Sequence, residues 1–187
     1  MITWIAFLIP LHAEEHSAVK AGSGRFEVTQ EFQGDTDQGD GVYLETVRFR
    51  DAALPKAELS GSAWPGIYII SPNEQWLIRT QKIGSGQSIA ILYKVEENGR
   101  VSEVVGFDDL LWGALDTVPQ LKQEDLSHAG IAKVAWSEDN RFLEVVLRGS
   151  NASNSGDRIE IQVQYDLANH RAIIKEGNSD QEVSPNP

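Results

Sequence analysis

The fold is decided by two paired stretches, DNRFLEVVLRG (residues 139–149) and GDRIEIQVQY (residues 156–165). In the second stretch, apolar and polar residues alternate. Its apolar residues are Ile159, Ile161, Val163 and Tyr165. A period of two residues is typical of a β-strand with one buried face. In the first stretch Phe142, Val145 and Leu147 do not share one parity, which predicts a strand that is covered on both faces or bulged. The connection between the stretches contains the Gly, Ser and Asn residues that hairpins need.

The same plan occurs twice more along the chain: an aromatic residue opens a strand, a polar loop follows, and a second strand returns. Phe26, Trp76 and Phe142 hold equivalent places in these units. The second and third units also have short strand patterns before and after them. These patterns cover residues 66–70, 101–105, 131–136 and 171–174. Four short antiparallel strands per unit are the layout of a propeller blade. We therefore predict a mainly β fold of antiparallel meander repeats.

One helix is expected among these strands. The opening aromatics of the second and third units are 66 residues apart, whereas those of the first and second units are 50 residues apart. Residues 107–126 account for the 16 additional residues. Asp108 or Asp109 is placed to cap a short helix that Pro119 ends. The apolar residues of this helix are Leu110, Leu111, Trp112 and Leu115.

The two ends of the chain differ in composition from the rest. Residues 2–11 (ITWIAFLIPL) are almost wholly apolar, are too short to span a bilayer as a helix, and are followed by Ala13. We expect residues 1–13 to be an export signal, so that the mature chain is periplasmic or secreted and has no integral membrane span. The alternative is a buried first strand or helix. We expect a single β-repeat domain over residues 14–176 and a disordered polar tail over residues 177–187.

The overall charge argues against several classes of partner. Sixteen Lys and Arg residues stand against 28 Asp and Glu residues, a formal net charge of −12. The phosphates of a nucleic acid would be repelled by this field.

The chain has no cysteine, which excludes disulfides, thiolate nucleophiles and cysteine-ligated metal clusters.

Residues 127–140 (SHAGIAKVAWSEDN) resemble the opening of a WD40 or TolB-type propeller blade. Such blades often read as a His-Xaa-Gly entry, a strand, and a Trp-Ser-Pro-Asp-Gly turn. Residues 70–74 (ISPNE) look like the same turn in the second unit, and residues 165–167 (YDL) stand where those blades carry Trp-Asp. The resemblance implies a propeller-like fold that binds other molecules, and it implies no reaction. A closed propeller has at least four blades. An open stack, a β-sandwich and a ring completed by another subunit therefore all stay open.

One acidic loop has the composition of a metal site. In residues 35–41 (DTDQGDG), Asp35, Asp37 and Asp40 are candidate calcium ligands. The closing bidentate carboxylate is missing, because Thr46 stands at its place. We interpret this loop as a solvated hairpin tip and expect no metal or cofactor. The H-x-x-E-H pattern at residues 12–16 straddles the expected cleavage point and is interpreted as a chance match.

The sequence contains no nucleophile elbow, P-loop or dinucleotide fingerprint. We therefore expect an exported non-enzymatic protein that binds a protein or cell-envelope component. The rival hypothesis is a periplasmic hydrolase that uses carboxylates such as Asp108, Asp109 and Glu124. Carboxylates grouped with His128 in one cleft would favour the enzyme, and an exposed aromatic patch without them would favour binding. Four tryptophans are candidates for such a patch, although large aromatics are more often core. They are Trp64, Trp76, Trp112 and Trp136.

Overall fold

The computed structural model describes residues 16–35, 40–117, 123, 126–151 and 158–175. Within these residues, twelve strands form three four-stranded antiparallel sheets, each a meander in chain order. Sheet 1 contains β1 (His16–Lys20), β2 (Phe26–Asp35), β3 (Asp40–Phe49) and β4 (Ala57–Ser62). Sheet 2 contains β5 (Ile67–Ile70), β6 (Trp76–Gly84), β7 (Gln87–Val95) and β8 (Val101–Glu103). Sheet 3 contains β9 (Leu126–Trp136), β10 (Phe142–Asn151), β11 (Arg158–Asp166) and β12 (Arg171–Ile174). The mainly β meander fold is confirmed.

The same turn joins the first two strands of every sheet. In sheet 2 the backbone N–H of Ser71 donates to the carbonyl of Trp76 at 2.9 Å, and the N–H of Trp76 donates to Ser71 Oγ at 3.0 Å. Ser137 and Phe142 make the same two hydrogen bonds in sheet 3, at 3.0 and 2.9 Å. In sheet 1 Ala21 replaces the serine and keeps the backbone bond. This repeated turn confirms that the opening aromatic residues are equivalent.

Sheet 2 lies between the other two sheets and is buried on both faces. One core fills the space between sheets 1 and 2. Its buried residues include Phe26, Val28, Val47, Leu59, Tyr68, Leu77 and Tyr93. A second core fills the space between sheets 2 and 3 and includes the helix. Its buried residues include Trp76, Ile78, Leu92, Phe107, Leu111, Leu143, Val145 and Tyr165.

The two end sheets carry charges where the middle sheet carries apolar residues. Glu144 in sheet 3 holds the place of Ile78, and it accepts a hydrogen bond from Lys175 Nζ at 2.7 Å. Glu27 in sheet 1 holds the place of Leu77, and Lys20 pairs with it at 3.0 Å. Burying an ionised pair costs more than leaving it in water. The outer faces of the described stack are therefore suited to solvent.

The helix forms where it was expected, but its start is different. Helix α1 (Phe107–Gly113) is followed by a 3-10 turn at Ala114–Thr117 and packs against β7 and β12. Its N-cap is Gly106 in the left-handed region (φ 74°), and no side chain caps it. The expectation that Asp108 or Asp109 caps the helix was wrong. Leu110, expected on the apolar face of the helix, is 40% exposed.

For the strand that was expected to be covered on both faces or bulged, the structure shows an irregular ladder on one side only. Leu143, Val145 and Leu147 of β10 alternate and are all buried. The irregularities lie in its pairing with β9, where the register shifts twice. Phe142 breaks the parity because it lies on the opposite face of β10 from Leu143, Val145 and Leu147. Among the described residues, no helix is long and apolar enough to cross a membrane.

Candidate functional site: a cationic cleft between sheets 2 and 3

A cleft opens at the end of sheets 2 and 3 where β6 turns back into β7. One part of it has a volume of about 280 Å³. It is lined by Gly86, His128, Arg148, Gly149, Ser150 and Arg158. A second part of about 230 Å³ shares Gly86 and Arg148 with the first. Its other lining residues are Pro65, Ile67, Thr80, Lys82, Gln87, Ser88 and Ile131. The two parts together are called the hairpin cleft below.

Local backbone geometry creates the hairpin cleft. Gly86 in the β6–β7 turn has φ 75°, a conformation that glycine adopts without strain, and the His128 ring lies directly against its Cα hydrogens. A β-bulge places His128 and Ala129 opposite Gly149, because Arg148 pairs with Gly130 and Ser150 pairs with Ser127. Bulges commonly re-aim side chains at the rim of a sheet. Here the bulge sets His128 at the cleft, where its backbone also takes a positive φ of 55°.

One hydrogen bond fixes the spacing of the two sheets beside the cleft. The backbone N–H of Ile131 donates to Ser88 Oγ at 2.8 Å, which joins β9 to β7. A Cβ atom at Gly130 would collide with Ser88, so the glycine permits this close approach. The walls of the cleft are therefore held by strands rather than by loops alone.

The lining of the hairpin cleft is cationic. Lys82 and Arg148 occupy equivalent positions, each six residues after the opening aromatic of its sheet. Arg158 pairs with Glu160 at 2.5 Å, which offsets one of the positive charges. Within the described part of the chain, Arg148 is exposed and has no hydrogen-bonding or ionic partner. The cleft thus keeps a local positive charge on a strongly acidic chain.

Apolar side chains lie beside these cations. Ile67 is 68% exposed and Trp64 is 42% exposed, although both are large and hydrophobic. The ammonium of Lys82 lies 5.3 Å from the centre of the Trp64 ring, a cation–π contact. Ile83 follows Lys82 in β6 and is 52% exposed, but it is not among the residues that line the cleft. Neighbouring exposed apolar side chains of this size are typical of interaction surfaces.

The carboxylates proposed for a hydrolase do not meet His128. Asp108 is turned inward, and its Oδ1 accepts a hydrogen bond from the backbone N–H of Ala90 at 2.7 Å. Burial raises the pKa of this carboxyl to about 6. Asp109 is exposed on the helix, and Glu124 lies outside the described residues. Over the described ranges, no three His, Asp or Glu side chains are grouped as a metal site would need.

The candidate calcium ligands are only partly described. Asp35 ends β2 and Asp40 begins β3, and the backbones of the two residues pair across the hairpin. Asp37 lies outside the described residues, as do most of residues 12–16 and the ends at 1–13 and 177–187. The described residues therefore show β2 and β3 paired up to Asp35 and Asp40, and the interpretation of the loop as a solvated tip stays a prediction.

The four tryptophans divide between core and surface. Trp76 and Trp112 are buried, and Trp136 is half-buried against the core between sheets 2 and 3. Trp64 alone of these four is exposed, and it stands beside the hairpin cleft.

Sequence reasoning missed a buried polar cluster between sheets 1 and 2. Glu45 is 1% exposed, and its Oε2 lies 2.5 Å from Arg79 Nη2 and accepts a hydrogen bond from Tyr68 Oη at 2.5 Å. Its Oε1 accepts hydrogen bonds from Gly66 N and Gln30 Nε2, both at 2.8 Å. Burial, and next the hydrogen bond to Glu45, raise the pKa of Tyr68, so this hydroxyl stays protonated and donates. The contacts of Glu45 with Arg79 and Tyr68 join sheet 1 to sheet 2, whereas Gln30 lies beside Glu45 within sheet 1.

Comparisons with known proteins bear on the fold alone. No protein-family model matches the chain, and no curated protein matches it. The solved acylaminoacyl peptidase of Pyrococcus horikoshii is similar over 86% of this chain, with a TM-score of 0.50 and 7% identity. The AtxE2 isopeptidase in its apo form matches over 94% of this chain, with a TM-score of 0.45 and 13% identity. The chain spans 24% and 32% of the lengths of these two proteins. The similarity to the acylaminoacyl peptidase is a likeness of fold to a part of a larger protein.

Proposed function

We propose that the chain is an exported, non-enzymatic β-repeat protein that binds a protein or cell-envelope component through the hairpin cleft. The observation that carries the proposal is the cleft itself. It gathers Lys82, Arg148 and Arg158 on one concave surface of a chain with a net charge of −12. Concave sites with exposed apolar and charged side chains are the usual form of a ligand-binding surface.

The three sheets are, in this proposal, blades of the WD40 or TolB type in an open stack. The repeated turn after the first strand supports the blade assignment, since Ser71 and Ser137 make the same hydrogen bonds. The charged outer faces support the open stack. In a closed ring the pair of Glu144 with Lys175 would be covered by a further sheet, and its desolvation would oppose closure.

A carboxylate-based hydrolase is the rival, and two observations speak against it. Asp108 is already used as the acceptor for Ala90 N–H, which β8 leaves without a strand partner. The described residues that line the cleft around His128 include two arginines and no carboxylate. The peptidase likeness does not favour the enzyme, because it concerns fold at 7% identity.

Export is the second half of the proposal, with a periplasmic or secreted mature chain. It depends on the apolar residues 2–11 and on Ala13. Mass spectrometry of the protein from a Gram-negative host should find a chain that begins at or near Glu14. Recovery of a soluble cytoplasmic chain with Met1 intact would contradict export.

Retention of an envelope component on the immobilised protein tests the binding function. We expect retention from a solubilised envelope fraction that high salt abolishes and that is lost in the Lys82→Glu/Arg148→Glu variant. The same preparation should not cleave chromogenic ester, peptide or glycoside substrates. Hydrolysis that disappears in both His128→Ala and Asp108→Asn would contradict the proposal and establish the rival.

A further inference from the structure

We propose that the ligand of the hairpin cleft is an acidic polypeptide segment whose carboxylates alternate with aliphatic side chains. This inference rests on the proposed binding function and names its partner class. Three features of the cleft carry it: its charge, the chemistry of its apolar wall and the polar groups between them.

The charge of the cleft selects for anions. Lys82, Arg148 and Arg158 line it, and Glu160 pairs with only the last of these. Arg148 lines both parts of the cleft, and none of the described residues forms a hydrogen bond or an ion pair with its side chain, so it can receive the carboxylate of a ligand. Arginine binds carboxylates through two parallel N–H donors, which gives orientation as well as attraction.

The apolar wall of the cleft is aliphatic rather than aromatic. Pro65, Ile67 and Ile131 line it, and Ile67 is mostly exposed. Flat aromatic faces, on which sugar rings stack, are missing from the described lining: neither part of the cleft is lined by Phe, Tyr or Trp. Trp64 is the nearest exposed aromatic, and Lys82 already lies over its ring. The wall therefore suits Leu, Ile or Val side chains better than sugars.

Small polar groups lie between the cations and the apolar wall. Thr80, Gln87 and Ser88 line one part of the cleft, and Ser150 lines the other. Such groups can pair with the backbone N–H and C=O of an extended peptide, which would otherwise lose their hydrogen bonds to water. An acidic peptide with alternating aliphatic residues satisfies all three kinds of lining group.

Fluorescence anisotropy with defined probes tests the inference. The probes are a labelled peptide of alternating Glu and Leu, the same peptide with Gln in place of Glu, and polygalacturonate as an anionic polysaccharide competitor. We expect the Glu peptide to bind about tenfold or more tightly than the Gln peptide. Binding should weaken between about 0.01 M and about 1 M salt, over which the Debye length falls from about 30 Å to about 3 Å.

Matched charge reversals locate the site. Arg148→Glu and Lys82→Glu should each weaken binding of the Glu peptide about tenfold or more. Arg100→Glu makes the same charge change in the exposed turn between β7 and β8, at the opposite end of sheet 2, and should change binding by less than about twofold. All three side chains are exposed, so unchanged melting curves should show that the variants are folded.

The outcomes separate the inference from the function on which it rests. Polygalacturonate that binds more tightly than the Glu peptide, with the same loss in Arg148→Glu, overturns the peptide inference and leaves the binding function standing. Equal losses in Arg100→Glu and Arg148→Glu overturn the inference, because attraction is then to the whole surface. Envelope retention that persists in the Lys82→Glu/Arg148→Glu variant would overturn both.

Discussion

The substitution Glu45→Ala examines the buried polar cluster that joins sheets 1 and 2. It removes the acceptor of four groups: Arg79, Tyr68, Gln30 and the backbone N–H of Gly66. Arg79 is itself 1% exposed. The variant therefore leaves a guanidinium buried without its counter-charge.

The expected loss in the free energy of unfolding is large. Removing one partner of a buried ion pair costs about 3–5 kcal/mol, because the remaining charge stays desolvated. For a domain of this size each kcal/mol corresponds to about 2–4 °C in Tm, so the melting temperature should fall by roughly 6–20 °C. Arg79→Met with Glu45→Gln should cost less than the sum of the two single changes, since the double variant buries no charge.

Urea unfolding followed by circular dichroism, together with thermal melting, measures these effects. Glu144→Ala is the matched control, because Glu144 is also a strand glutamate in an ion pair but is 43% exposed at its side chain. It should cost less than about 1 kcal/mol. Glu45→Ala that is no more destabilising than Glu144→Ala would refute the assignment of a buried cluster. Strict additivity of the Glu45 and Arg79 changes would refute their pairing.

Three further predictions concern single positions. Burial raises the pKa of Asp108 to about 6 in the folded protein. The protonated carboxyl therefore destabilises nothing below about pH 4, and the fold loses stability as the pH rises through about 6 and the buried carboxyl ionises. Asp108→Asn should therefore stabilise the fold by about 1 kcal/mol at pH 8, after discounting for partial exposure, and by nothing near pH 4. Urea unfolding at the two pH values measures this difference. Trp136→Ala should lower the free energy of unfolding by about 2 kcal/mol, because the Trp136 ring is half-buried against the core. Trp64→Ala should lower it by less than about 1 kcal/mol, because the Trp64 ring is exposed. Calcium should not raise the Tm, and a shift that vanishes in Asp37→Ala would establish a metal site at the β2–β3 hairpin.

Local patterns in the sequence are sufficient to predict the repeats. The alternation in residues 159–165 and the Ser-turns at Ser71 and Ser137 depend on neighbours within six residues, and the structure places them as expected. The front and back strands of sheets 2 and 3 follow from similarly short patterns.

Contacts between elements that are far apart in the sequence were not predicted. Asp108 was taken for a helix cap because only its local position was considered. It binds Ala90 instead, because β8 is short and leaves that N–H without a strand partner. The hairpin cleft likewise depends on β6 and β7 of sheet 2 meeting β9, β10 and β11 of sheet 3 in space, which no single stretch of sequence reveals.

The buried cluster had one sequence signal that went unused. Tyr43, Glu45, Val47 and Phe49 share a parity in β3, so Glu45 stands on the apolar face of its strand. A glutamate at such a place requires a buried partner. Arg79 likewise stands on a buried face of its strand, because it shares a parity in β6 with Leu77 and Gln81.

Amide chemical shifts of the isotope-labelled protein, titrated with the alternating Glu–Leu peptide, test most directly whether the hairpin cleft is the binding surface. We predict that the largest changes occur at Gly86, Gly149 and Ser150, and that they are absent in Arg148→Glu. Changes confined to Lys133, Glu144 and Gln162 on the outer face of sheet 3 would contradict the account. So would tight binding that leaves Gly86 and Gly149 unperturbed.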